Sequence, residues 1–95
     1  MLEREVENYL RTQVKTKLNG LALKFVSPGF SGVPDRIVLL PGARIIFVET
    51  KAPGQKLRKL QEYVRGLIKS FGFDVRRIDT KEKVSNFIAE MEELG

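Results

Sequence analysis

The sequence has no cysteine and no histidine in its 95 residues. Without cysteine there is no disulfide and no thiolate metal site. Without histidine there is no His-activated nucleophile, no His general base, and most zinc sites are excluded. Any acid–base or metal chemistry is left to Asp, Glu, Lys, Arg or Tyr. No apolar run approaches the ~20 residues that span a bilayer, and no secretory signal is visible. An intracellular protein is the resulting expectation. There is also no internal repeat, low-complexity run or linker, so one domain over residues 1–95 is expected.

The residues present are those of a soluble globular chain, 42% hydrophobic and 31% charged. Seventeen Lys and Arg against twelve Asp and Glu give a net charge of +5. That balance suits a polyanion, with phosphate backbones the leading candidate. Many small basic proteins bind nothing specific, so the chemistry has to be sought in particular residues.

The stretch from Val33 to Lys51 supplies them. Two runs rich in Val, Ile, Leu and Phe flank Pro41-Gly42-Ala43, which reads as a β-hairpin. In an antiparallel pair the start of one strand lies beside the end of the other. Asp35 and Glu49 are therefore expected together at one end of the sheet. Glu49 and Lys51 are two residues apart and share a face. Two neighbouring carboxylates repel unless a cation lies between them, and hard oxygen ligands suit Mg²⁺. The plainer alternative is that these carboxylates pair with Arg36 or Arg44.

Pro34-Asp35, the hairpin, and Glu49-Thr50-Lys51 together resemble the PD-(D/E)xK signature of restriction-endonuclease-like nucleases. The surrounding words, Gly32-Val33-Pro34-Asp35-Arg36, Phe47-Val48-Glu49-Thr50-Lys51-Ala52-Pro53-Gly54 and the later Gln61, resemble the VRR-NUC (virus-type replication-repair nuclease) family in its stand-alone form. The resemblance covers nearly the whole chain.

The remaining elements follow from periodicity. Met1 to about Asn19 reads as a helix with Val6, Leu10, Val14 and Leu18 on one face. Glu3 and Glu7 project on that same side, where a carboxylate is costly unless paired or ligated. Leu21 to Val26 is a strand, and residues 27–32 form a loop leading into Asp35. Ala52 to Gln55 make a turn. A second helix runs from about Lys56 to Phe71, with Leu57, Leu60, Val64, Leu67, Ile68 and Phe71 as its buried stripe. Phe73 to Ile78 is a fourth strand. The last helix opens at Asp79-Thr80-Lys81-Glu82, with Asp79 and Glu82 at capping-box spacing. The order α-β-β-β-α-β-α implies a small mixed sheet flanked by helices, with a right-handed crossover into the last strand. That is the α/β, restriction-endonuclease-like architecture.

The resemblance implies hydrolysis of DNA phosphodiesters with Mg²⁺ or Mn²⁺, leaving a 5′-phosphate and a 3′-hydroxyl. Asp35 and Glu49 would bind the metal, with the Thr50 backbone carbonyl a further ligand. A first-helix glutamate completes the site in related nucleases, and Glu7 matches that position, with Glu3 in reserve. Lys51 would orient or deprotonate the attacking water, or stabilise the transition state, and one or two metals remain open. Gln61 supports the site. Lys56, Arg58 and Lys59 are expected to hold phosphates, as are Ser31 and Gly32 on the loop beside Asp35. Phe30 on that loop is open to three roles: base stacking, a partner interface or the core. The expected working unit is a homodimer resolving four-way (Holliday) junctions. The alternatives are a monomeric flap or nicking nuclease and a non-catalytic nucleic-acid-binding module.

Overall fold

The computed structural model describes residues 2–54 and 56–95. Met1 of the first predicted helix and Gln55 of the predicted turn lie outside the described residues. The elements are α1 (Glu3–Leu18), β1 (Leu21–Lys24), β2 (Arg36–Leu40), β3 (Arg44–Thr50), α2 (Lys59–Ser70), β4 (Asp74–Ile78) and α3 (Lys81–Leu94). Their order is the one read from the sequence. Each element is shorter at one end or both, and α2 starts three residues later than the sequence pattern implies.

The four strands lie in sequence order, β1-β2-β3-β4. The first three are antiparallel neighbours, and β4 runs parallel to β3, as a connection through α2 requires. The β2–β3 register sets Arg36 opposite Val48 and Leu40 opposite Arg44. A three-residue turn closes the hairpin, with Gly42 and Ala43 both at positive φ. The start of β2 therefore does lie beside the end of β3.

Alternation along the strands sorts the sheet into two faces. One buries Ala22, Val38, Leu40, Ile46, Val48 and Ile78 against α1 and α3. There α1 contributes Val6, Leu10, Val14 and Leu18, and α3 contributes Val84, Phe87, Ile88 and Met91. On the other face α2 packs chiefly against β4. The predicted stripe of α2 is only partly realised. Val64 is buried, but Leu60 is 50% exposed and Phe71 69%. Among the described residues no helix is long and apolar enough to cross a membrane.

Two helix starts differ from expectation for local reasons. Lys56, Leu57 and Arg58 precede α2, because Arg58 keeps an extended backbone. The last helix is capped by Thr80, whose hydroxyl accepts the Lys83 N–H at 3.0 Å. Asp79, expected as that cap, is buried and turned elsewhere.

Candidate active site

The site forms where β2 begins and β3 ends. Asp35 sits at the bend before β2, and its carboxylate reaches across to Thr50. The Thr50 backbone N–H donates to Asp35 Oδ1 at 2.7 Å, and the Thr50 hydroxyl donates to Oδ2. Thr50 is completely buried, so these two donors fix the Asp35 rotamer from inside the fold. The sequence offered Thr50 only as a backbone ligand, and its side-chain role needed the three-dimensional approach of residues fifteen apart.

Glu49 lies one residue earlier, on the α2 face, and is buried. Its Oε1 accepts from Gln61 Nε2 at 3.1 Å and stands 3.5 Å from Lys51 Nζ. Gln61 also accepts the Arg58 backbone N–H at 2.9 Å through its own Oε1. One amide thus satisfies an orphan donor at the start of α2 and orients Glu49. Lys51 is buried too, with its backbone N–H bonded to the Ile78 carbonyl at 3.0 Å.

The electrostatics follow from this burial. Removal from water raises the Asp35 carboxyl pKa, and the Glu7 charge adds to the rise, while the two Thr50 donors pull it back. Glu49 is pushed up to about 7, first by burial and then by the Asp35 charge, with Lys51 opposing. Glu49 is thus held close enough to Asp35 to feel its charge, and the Lys51 ammonium offsets only part of the rise.

Glu7 has a partner of its own. Arg36 grips Glu7 Oε1 with Nε at 2.7 Å and a terminal nitrogen at 2.6 Å, and bonds the Ala22 carbonyl at 2.9 Å. This solves the problem posed by an acid on the apolar side of α1. Glu7 stands beside Asp35, close enough for its charge to act there, but its carboxylate is occupied by a guanidinium. Glu3 acts on Glu49 in the same way, as a nearby charge. Among the described residues no three acids converge as a cage for an ion. The plainer alternative for the hairpin is also displaced, since Arg36 bonds Glu7 and Ala22 and Arg44 bonds the Pro41 and Met91 carbonyls.

The proposed phosphate contacts fall at the rim. Lys56, Arg58 and Lys59 are exposed at the mouth of α2, and Ser31 is exposed on the loop. Gly32 has a different reason to be glycine. Its φ is +90°, and an added Cβ would lie 2.8 Å from Leu60 Cγ and 3.1 Å from the Leu60 carbonyl. The loop leads into Asp35 by leaning on α2.

One contributor escaped the sequence reading. Asp79 pairs with Lys83 at 2.9 Å and Arg77 at 3.3 Å, and accepts the Gly54 N–H at 3.4 Å. It ties the turn that follows Lys51 to the end of β4. Its spacing to Glu82 pointed to a helix cap, and nothing in the sequence pointed to Gly54.

No family model matches the chain. A curated relative does, "Putative nuclease p44" of Acyrthosiphon pisum secondary endosymbiont phage 1. It is 44% identical over 80 residues, covering 84% of this chain and 85% of that protein. A solved structure described as a VRR_NUC domain superposes with a TM-score of 0.85 at 30% identity, over 92% of this chain and 94% of that one. The chain belongs to the VRR-NUC family of nucleases. Its α-β-β-β-α-β-α order and four-stranded mixed sheet are the VRR-NUC form of the restriction-endonuclease-like fold. Asp35 and Gln61, both half-buried, and the buried Glu49, Thr50 and Lys51 form one hydrogen-bonded and ion-paired cluster at this end of the sheet.

Proposed function

We propose that this nuclease is a divalent-metal-dependent endonuclease of DNA, working as a homodimer on four-way junctions. The observation that carries the chemistry is the pair of carboxylates, Asp35 and Glu49, both raised by burial at one end of the sheet with Lys51 at their side. An ion fits that donor set. Among the described residues the contacts of Gln61 and Lys51 to Glu49 both fall on Oε1, leaving Oε2 to face an ion. The Asp35 charge helps raise Glu49, a repulsion that a cation relieves, and Mg²⁺ uses one or two carboxylates beside water and phosphate.

Asp35 and Glu49 would hold the ion, with the Thr50 carbonyl as a third protein ligand. When bound, it supplies the positive charge that polarises the phosphate and lowers the pKa of water. The chain's own residues do the rest. Thr50 and Gln61 hold the two carboxylates in fixed rotamers, so little reorganisation is needed at the moment of reaction. Lys51 places an ammonium where it can orient or accept a proton from the attacking water, or meet charge building on the phosphate. Gln61 links this centre to the first turn of α2, whose Lys56, Arg58 and Lys59 rim suits phosphate contacts that position rather than read sequence. Glu7 acts in this reading through Arg36, as the counter-ion beside Asp35.

The dimeric, junction-resolving form rests on symmetry. One chain offers one site, and a four-way junction has a two-fold axis that a two-fold dimer matches. The test is incubation with labelled four-way junction, flap and duplex DNA, with Mg²⁺ and with chelator. Paired symmetric cuts on the junction are expected with Mg²⁺ and none with chelator. Asp35→Ala, Glu49→Ala and Lys51→Ala should each abolish cutting while remaining folded. Cleavage that persists in chelator would overturn the metal-dependent reading, and a single unpaired nick with flaps preferred would overturn the resolvase reading.

A further inference from the structure

At about 100° per residue, Arg4, Asn8, Arg11 and Lys15 share one flank of α1, and all four are exposed. The opposite flank carries Tyr9, whose hydroxyl meets the Ser85 hydroxyl of α3 at 3.2 Å. The basic flank therefore looks away from α3 and lies along β1, the edge strand on which α1 also packs. Lys24, at the end of β1, projects on the side of Ala22, which α1 buries. It stands opposite Arg36 in the register, so it adds a cation at the site end of this ridge. The ridge begins beside the site. Glu3 and Glu7 lie on either side of Arg4 in the chain, and their charges reach Glu49 and Asp35. From Arg4 to Lys15 the ridge then runs about 16 Å along the helix.

One contact leaves these cations without counter-charges. Glu7 is the helical neighbour of both Arg4 and Arg11, at the spacings where ion pairs form. Arg36 takes its carboxylate instead. Among the described residues Arg4, Arg11, Lys15 and Lys24 make no ion pair and no side-chain hydrogen bond. Glu5, an exposed acid of the same helix, projects about a quarter-turn away.

We infer that this flank of α1 binds the phosphate backbone of the DNA that leaves the site on the side away from α2. The inference rests on reading the chain as a DNA nuclease and is independent of whether it dimerises. The helices α1 and α2 lie on opposite faces of the sheet, and the site lies at the sheet's end, near the first turns of both. A strand with one phosphate held at Asp35 and Glu49 has to continue in two directions. The rim of Lys56, Arg58 and Lys59 suits one of them, and the ridge presents unmatched cations to the other. Charge selects the occupant. Exposed Arg and Lys side chains with Asn8 between them suit phosphate contacts, which position a duplex without reading it. The length of the ridge corresponds to about five base-pair steps of ~3.4 Å. The apolar stripe of α1 faces the core, so the helix has no apolar face left for a membrane surface.

The experiment measures binding of labelled four-way junction and linear duplex DNA by fluorescence anisotropy across a salt series, in chelator. Arg11→Gln, Lys15→Gln and Asn8→Lys are compared with wild type. Lys17→Gln is the control, because Lys17 is on the same helix but lines a hollow with Arg44 and Met91. Arg11→Gln and Lys15→Gln should each lower the slope of log affinity against log salt by about 0.9 and weaken binding about three- to tenfold. Asn8→Lys should steepen the slope by a similar amount and tighten binding. Lys17→Gln should match wild type. Turnover at saturating DNA with Mg²⁺ should be unchanged throughout, because the ridge touches no reacting atom. Slopes for Arg11→Gln and Lys15→Gln equal to wild type, or an equal loss in Lys17→Gln, would overturn the ridge and leave the nuclease reading standing. A wild type that neither binds nor cuts DNA would overturn both. Should circular dichroism show that the Gln variants lose helix, Asn8→Lys decides, since it adds a phosphate partner, and an unchanged slope there would overturn the ridge.

Discussion

Gln61 stands between the start of α2 and the Glu49 carboxylate. Its Nε2 is 3.1 Å from Glu49 Oε1, and its Oε1 takes the Arg58 N–H at 2.9 Å. The side chain that closes α2 therefore also sets the rotamer of Glu49. A helical Gln is usually surface; this one spends both ends of its amide.

Gln61→Ala should accordingly act on the chemical step more than on substrate binding. Single-turnover cleavage is expected to fall about ten- to hundredfold, while the concentration for half-saturation changes little. Gln61→Glu should be worse, because it replaces a donor with a third acid beside Glu49. Equal losses in binding and turnover would place Gln61 in DNA contact instead.

The raised pKa of Glu49 gives a pH and metal signature. A carboxyl with a folded pKa above its unfolded value favours folding while protonated, and that contribution fades as pH rises from the ordinary glutamate value of 4.5 toward about 7. For this group, metal-free protein should melt at lower temperature at pH 8 than at pH 5.5. Mg²⁺ should restore more stability at pH 8, where both carboxylates are charged. Glu49→Gln should melt higher than wild type at pH 8 without metal, and lose the metal response. Thermal melts in chelator and in Mg²⁺ at the two pH values check each sign.

Thr50→Val removes the hydroxyl that donates to Asp35 Oδ2 and keeps the shape. Both Thr50 donors lower the Asp35 pKa, so losing one should raise it further. The acidic limb of the pH–rate profile should then move to higher pH, with the plateau reduced about tenfold. A profile that does not move would show that Asp35 is not the group titrating in that limb.

Glu7 separates local from long-range information. Its place on the apolar side of α1 was legible, because 100° per residue is fixed by helix geometry. Its partner was not, because Arg36 is 29 residues away and no periodicity reports on such a pair. The same divide runs through the fold. The hairpin, the meeting of Asp35 with the end of β3, and the shared face of Glu49 and Lys51 were readable from alternation and turn chemistry. The stripe of α2 was readable as amphipathic, but amphipathicity does not say whether anything covers it, and Leu60 and Phe71 stayed exposed. Asp79 and Thr80 both suit one cap; Thr80 takes it while the Asp79 carboxylate is engaged by Lys83, Arg77 and Gly54.

The ion pair makes Glu7→Gln a stability variant first. Arg36 and Glu7 side chains are 12% and 21% exposed, so removing the acid leaves a guanidinium poorly solvated. A loss of about 2–4 kcal/mol in urea unfolding is expected, against little loss if Glu7 were a strained acid without a partner. Arg36→Met alone should cost a similar amount, and Glu7→Gln with Arg36→Met together less than the sum of the two. An additive double-mutant cycle would show the pair to be uncoupled.

Asp79 gives the last prediction. Lys83 first, then the Gly54 N–H and Arg77, hold its carboxyl below the usual aspartate range against the opposing effect of burial. An acid with a lowered folded pKa stabilises the fold above its unfolded value of 3.8 and loses that contribution as pH falls through the folded value. Asp79→Asn keeps the shape and removes the charge at every pH, so its penalty should be full at pH 7 and shrink below pH 4. The functional effect should be separate from the stability effect. Asp79 tethers Gly54, three residues past Lys51, and Lys51 is pinned on its other side by Ile78. Freeing that turn should loosen Lys51 and the approach to Gln61, so turnover should drop at saturating DNA and Mg²⁺ even where Asp79→Asn is fully folded. Unchanged turnover at 20 °C, with only the melting temperature lowered, would restrict Asp79 to holding β4 and α3 together.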